Sequence, residues 1–135
     1  MDLKTSLQVS ASGLRAQSLR MRIIAENLAN ADSVARTAGG DPYRRRLPSF
    51  KSEVDRSSGA AGVAIATIES DKSAFQRVYQ PGSPAADATG YVKKPNVNAL
   101  VEAADMKAAQ RSYEANLSAI EAAKSLTMRT IDLLK

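Results

Sequence analysis

Residues 99–134, ALVEAADMKAAQRSYEANLSAIEAAKSLTMRTIDLL, contain neither Gly nor Pro. Glycine weakens a helix through backbone entropy and proline through a missing N–H and a steric clash, so a run this long without either predicts one long helix. Met106, Ala109, Tyr113, Leu117, Ile120, Ala123, Thr127, Ile131 and Leu134 follow at helical spacing, which stacks them along one face. Asn98 stands just before the run as a candidate N-cap, with Glu102 and Asp105 near the favourable positive end of the helix dipole. At 1.5 Å per residue the helix is about 54 Å long.

The other end of the chain behaves alike. From Leu3 to Leu28 there is no Pro, and Leu3, Leu7, Ala11, Leu14, Met21, Ile24, Ala25 and Leu28 fall in three- and four-residue steps. This predicts a second amphipathic helix, about 40 Å long. Leu7, Leu14, Met21 and Leu28 repeat every seven residues, but Ser10 and Gln17 interrupt the seam with polar groups. So narrow a stripe needs a partner. The helices must pair with each other or with neighbouring chains, and periodicity alone does not decide between these.

Between them, Gly39-Gly40-Asp41-Pro42 and Leu47-Pro48-Ser49 break any helix and predict an irregular, extended connection over 30–56. Ser57 to Gly62 reads as a flexible joint. Val63–Ile68 and Phe75–Tyr79 have the β-branched and aromatic character of two short strands, expected to form a small hairpin together. The expected fold class is mainly α: long terminal helices pairing as a coiled-coil-like layer, with a small β-hairpin and irregular insert between them. The corresponding segments are 1–30, an N-terminal helix; 31–95, an extended loop and β-containing insert; and 96–135, a C-terminal helix.

Composition narrows the chemistry. The 135 residues include neither Cys nor His. Thiolate and imidazole metal sites, disulfides, Ser-His-Asp triads and Cys-His dyads are therefore excluded, leaving carboxylate, Lys or Tyr chemistry for any enzyme. Glu102, Asp105, Glu114 and Glu121 read as a solvated helix face, or as partners of Lys107, Arg111 and Lys124. Asp87-Ala88-Thr89-Gly90 lacks the ligand succession of a calcium loop and reads as a turn. No catalytic residue, metal site or cofactor is assigned. The net charge of +5 is concentrated in the front half. Arg44, Arg45 and Arg46 beside Tyr43 are too few for a nucleic-acid patch without a recognisable binding motif, and read as a loop or an inter-subunit contact. No stretch has the apolar length of a membrane span, and Met1–Ser6 lacks the features of a secretory signal, so ordinary rules point to the cytoplasm.

Three ordered blocks alter that picture. Ser12-Gly13-Leu14-Arg15-Ala16-Gln17, followed by Arg20 to Ala31 with Asn27-Leu28-Ala29-Asn30 at its centre, resembles the N-terminal signature of flagellar rod and hook proteins. Pro42 to Phe50, Tyr79 to Pro84 and Asp87 to Asn98 narrow the resemblance to the proximal rod proteins, and Asp105-Met106, Arg111 to Asn116 and Lys124-Ser125 are similar to that family's C-terminal helix. Ser33, Gln80 and Ala86 depart from the expected pattern in surface detail.

The resemblance implies a structural subunit of the basal-body rod, in the periplasm, exported through the flagellar type III apparatus without a cleaved signal. It implies self-assembly, with other proximal rod proteins, a rod-to-membrane-ring adaptor and distal rod subunits as further partners, and neither nucleic acid nor membrane insertion. Expected assembly residues are Leu7, Leu14, Met21, Ile24, Asn27, Leu28, Asn30, Tyr43, Arg44, Tyr113, Asn116, Leu117, Ile120 and Ile131. Asn27 and Asn30 equally suit amide caps at the helix end, since Asn tolerates the left-handed conformation. The alternative function is a soluble helical adaptor that binds one partner through a coiled coil.

Overall fold

The computed structural model describes residues 2–135. The two terminal helices are α1, Leu3–Ala29, and α2, Ala99–Leu133. Between them lie β1, Arg46–Val54, β2, Ala61–Ser70, β3, Gln76–Tyr79, and β4, Tyr91–Lys94. The Asn98 side chain caps α2 as its position predicts: Oδ1 accepts from the N–H groups of Leu100 at 3.0 Å and Val101 at 3.4 Å.

The fold class departs from the sequence expectation. The chain is mixed α and β, with two separate two-stranded sheets, β1 with β2 and β3 with β4, where a mainly α chain with one small hairpin was expected. The strand-like runs after Gly62 and Phe75 do form strands, but each takes a different partner. β1 lies inside the segment expected to be irregular. Its sequence, RLPSFKSEV, shows no apolar alternation, because nearly every residue of the strand is exposed. Pro48 is tolerated because both strands of a two-stranded sheet are edges, so a missing N–H need not break a ladder.

The described residues divide into two compact units, the first built from three chain segments and the second from two. The first takes α1 as far as Met21, Pro48–Thr67, and α2 from Lys107 onward. Its buried positions are all small: Ser10, Gly13, Ala16, Ala60, Ala109 and Ala123. Gly13 marks a close approach of the two helices, since a Cβ built there would lie 2.6–2.8 Å from the Asn116 amide. The β1–β2 hairpin turns at Asp55, whose carbonyl accepts from the Gly59 N–H at 2.7 Å, with Gly59 at φ 70°. The hairpin is tied to α1 through Ser12, whose Oγ accepts from the Val63 N–H at 3.1 Å and donates to the Val9 carbonyl at 2.6 Å.

The second unit comprises Arg22–Leu47 and Ile68–Met106. Ile23, Ile24, Ala85, Val92 and Val97 form its apolar core. β3 and β4 pair antiparallel, Gln76 with Lys94 through Tyr79 with Tyr91, and Tyr79 and Tyr91 meet edge to face with centroids 5.3 Å apart. Their connection is organised by Asp87, whose Oδ1 accepts from Thr89 N–H at 2.9 Å, Thr89 Oγ1 at 2.6 Å and Tyr91 N–H at 3.0 Å. The Thr89 hydroxyl foremost, and then the Tyr91 N–H, lower the Asp87 pKa to about 2.

Candidate assembly interface

The second unit holds a polar junction centred on Asn27, 1% exposed. An amide offers two donors and an acceptor with two lone pairs, and here all are used. Nδ2 donates to the Arg46 carbonyl at 2.9 Å and to Glu102 Oε2 at 3.3 Å. Oδ1 accepts from the Arg46 N–H at 3.0 Å and the Tyr43 hydroxyl at 2.6 Å. Burial raises the Tyr43 hydroxyl above the ordinary phenol range, against the pull of Arg46.

Arg45 is the matching cation. Its Nε pairs with Glu102 Oε1, while Nη1 reaches Asp71 at 3.5 Å and Nη2 reaches Asp105 at 3.4 Å. Glu102, 1% exposed, is thus held from both sides. Burial opposes the Arg45 charge, yet the Glu102 and Asp71 carboxylates outweigh it and hold the guanidinium above its usual range. The Ser73 N–H and hydroxyl in turn hold the Asp71 carboxyl below its usual range. The Arg45 backbone is clamped as well, its N–H donating to Asn96 Oδ1 at 2.7 Å and its carbonyl accepting from the Asp71 N–H at 2.8 Å. Arg44 donates to the carbonyls of Asp71 at 2.9 Å and Ser73 at 3.0 Å and stacks 4.1 Å over the Phe75 ring.

The structure therefore joins Ile24, Asn27, Tyr43 and Arg44 in one unit and adds Arg45, Glu102, Asn96 and Asp71, which sequence reasoning missed. The reading of Glu102 as part of a solvated carboxylate face is corrected. Only the triple-arginine run hinted at its partner, because nothing local reveals a contact made across 57 residues of chain. The left-handed cap at Asn27 and Asn30 is corrected too: among the described residues no non-glycine has a positive φ. Asn30 ends α1 through its own amide, Nδ2 donating to the Glu26 carbonyl at 2.8 Å.

Family models for flagella basal body rod proteins and for the C-terminal region of flagellar basal body rod FlgEFG proteins match residues 7–36 and 88–133. The chain is 49% identical to the flagellar basal-body rod protein FlgC of Agrobacterium fabrum, over 98% of this chain and 96% of that one. It is 41% identical to the FlgC rod protein of Bacillus subtilis, over 96% and 97%, and 38% identical to that of Salmonella typhimurium, over 98% of each.

This chain belongs to the flagellar basal-body rod family, FlgC type.

Of the expected assembly residues, Tyr43 and Arg44 alone lie outside the two segments matched by the rod family models. Leu7, Leu14 and Met21 are half-buried in the first unit and Leu28 in the second. Tyr113, Asn116 and Ile120 are also half-buried, but Leu117 and Ile131 are exposed. So are Leu126, Met128, Leu133 and Leu134, the last two by more than four-fifths. Exposed apolar side chains thus gather towards the C-terminal end of α2, while others, among them Phe50, Val54 and Ile68, are exposed on the strands. No helix among the described residues is long and apolar enough to cross a membrane, and none of their His, Cys, Asp and Glu side chains group in threes to hold a metal.

Proposed function

We propose that this chain is a structural subunit of the proximal rod of the flagellar basal body, polymerising into the shaft that transmits motor torque across the periplasm to the distal rod and hook. The observation that carries this reading is similarity to rod proteins along essentially the whole of both chains. The exposed apolar end of α2 supports it physically, because a polymer subunit must keep such surface available for its neighbours.

In this reading the terminal segments 1–30 and 96–135 are the axial helices and 31–95 is the insert between them. The partners are further copies of this chain, the other proximal rod proteins, the adaptor to the membrane ring, the distal rod subunits and, before assembly, the type III export apparatus. Ordering of the termini is coupled to docking, so interlocking contacts offset its entropic cost. Residues 1–56 and α2 act mechanically, and no side chain is assigned to catalysis.

The test is quantitative mass spectrometry of hook-basal bodies after detergent and alkaline washing, with electron microscopy of a strain lacking the chain. Stoichiometric recovery and mutant basal bodies without a rod are expected. Absence from the particles, with normal rods in the mutant, sinks this reading and promotes the soluble adaptor.

A further inference from the structure

The first unit carries exposed charges on each helix, nearly all of which form no ion pair within it. On α1, Lys4 and Arg15 are exposed on the side opposite the buried Gly13 and Ala16; on α2, Glu121 and Asp132 are exposed on the side opposite the buried Ala109 and Ala123. Among the described residues neither Lys4, Arg15 nor Glu121 has an ion-pair partner, and Asp132 reaches only Lys135, at 3.5 Å. Lys4 and Arg15 are separated by eleven residues, as are Glu121 and Asp132. In sequence the next step of seven falls on Arg22 in one helix and on Glu114 in the other.

We propose that a second copy of this chain lays the C-terminal half of its α2 antiparallel along the outer face of α1, with Lys4 against Asp132 and Arg15 against Glu121 of that copy. The same register sets Leu19 level with Leu117 and Gln8 level with Met128, so exposed apolar side chains of α2 are covered between the ion pairs. It opposes no two like charges. The register inside one chain, fixed by Gly13 beside Asn116, is offset by one heptad. Applied to this outer face it would set Arg15 level with Glu114 and, in sequence, Arg22 level with Lys107, a like-charge pair. Exposed ion pairs add little affinity, so their part is to select the register while apolar contact supplies adhesion.

A groove supports the same occupant. Gln8, Ser12 and Arg15 of α1 face Glu53, Asp55 and Gly62 of the hairpin across a cavity of about 480 Å³. Its hairpin wall is acidic, with Glu53 and Asp55 both exposed, and suits an incoming cation. The proposed register brings Lys124 of the second copy level with Ser12, so that its ammonium enters beside Glu53 and Asp55.

This inference rests on the reading that the chain polymerises in the rod, and it can fail separately. The chain has no cysteine, so variants R15C and E121C each carry a single thiol, and a thiol-to-thiol link between them joins different copies. Both are co-expressed, basal bodies are purified and a short bis-maleimide is added. The expected product is a mixed covalent dimer at least tenfold more abundant than from R15C with E114C. Rods that contain the chain but yield no such dimer, link at E114C instead, or join R15C to another rod protein overturn the inference and leave the polymer reading intact. Absence of the chain from the particles overturns both. As a second arm, R15E lowers the yield of rods and R15E/E121R restores it, with helix content checked by circular dichroism; failure of the swap in well-folded protein also overturns the proposal.

Discussion

The two units solve the problem of holding helices together in opposite ways. In the first, contact is made by side chains too small to fix much: Ser10, Gly13, Ala16, Ala109 and Ala123 let backbones approach, and the larger apolar residues of α2 stay outside. In the second, Ile23, Ile24, Val92 and Val97 surround a saturated polar junction in which Asn27, Arg45 and Glu102 satisfy one another. The difference teaches that one region is fixed by a saturated polar network and the other by close backbone approach, and in the proposed polymer it is the second kind that a neighbour would complete. A buried network specifies a single arrangement because partial satisfaction is costly. A small-residue seam specifies distance but leaves most of its binding capacity unspent.

The contrast breaks most visibly at Glu102. Replacing it with Ala leaves the Arg45 guanidinium and an Asn27 donor without their buried partner, and about 3–5 kcal/mol of stability is expected to disappear in denaturant unfolding. Asn27→Leu should follow at about 2–4 kcal/mol, since the Tyr43 hydroxyl, the Glu102 carboxylate and both backbone groups of Arg46 lose a partner at once. A loss under 1 kcal/mol for either would mean that the second unit is no more fixed than the first.

In the first unit, Gly13→Val forces a side chain against the Asn116 amide, and overpacking of this kind costs about 1–3 kcal/mol. Adding Asn116→Ala should recover most of it, because the space the new side chain needs is then free. A double-mutant cycle measures this coupling, and additive losses would show that the two residues do not share the space.

Acid provides a finer probe of the β3–β4 turn. The Asp87 pKa of about 2 lies below the ordinary 3.8, and Asp41 and Asp71 are also depressed. The stabilisation from each is therefore fully present above about pH 4 and is lost at lower pH, for Asp87 as the pH falls towards 2. The protection of the Thr89 and Tyr91 amides, measured as exchange relative to the unstructured rate at each pH, should hold down to about pH 4, fall below it, and become pH-insensitive in that window in Asp87→Asn.

The smallest effect on the isolated chain belongs to Leu126→Ser. At 54% exposure it should change monomer stability by less than about 0.5 kcal/mol while reducing incorporation into rods. A large stability loss would place Leu126 in an internal core and weaken the contrast between the units.

Both helices were legible because Ala99 to Leu134 and Leu3 to Leu28 carry one periodicity uninterrupted by proline, and Asn98 carried a recognisable cap. The Asn27-Leu28-Ala29-Asn30 signature likewise pointed to the family before any coordinate was known. β1 was illegible because a strand exposed on both faces has no pattern to read, and the wrong strand partner was chosen for the same reason: pairing is decided by turn geometry when burial does not enforce it. Glu102 was misassigned because a carboxylate on a helix looks solvated until its distant cation is placed. The seam residues were visible as an apolar stripe, but Leu117 and Ile131 stand exposed at its edge.

The first unit is stitched from three stretches of chain and the second from two, and each includes part of the last third, the first from Lys107 and the second up to Met106. The contacts that close each unit, such as Gly13 beside Asn116 and Asn27 with Glu102, are therefore long-range in sequence, the arrangement that slows folding because loops must close before contacts reward them. A ribosome or a narrow conduit delivering this polypeptide head first would have nothing complete to release until its tail emerged, and a premature stop before Ala99 would leave both units unfinished.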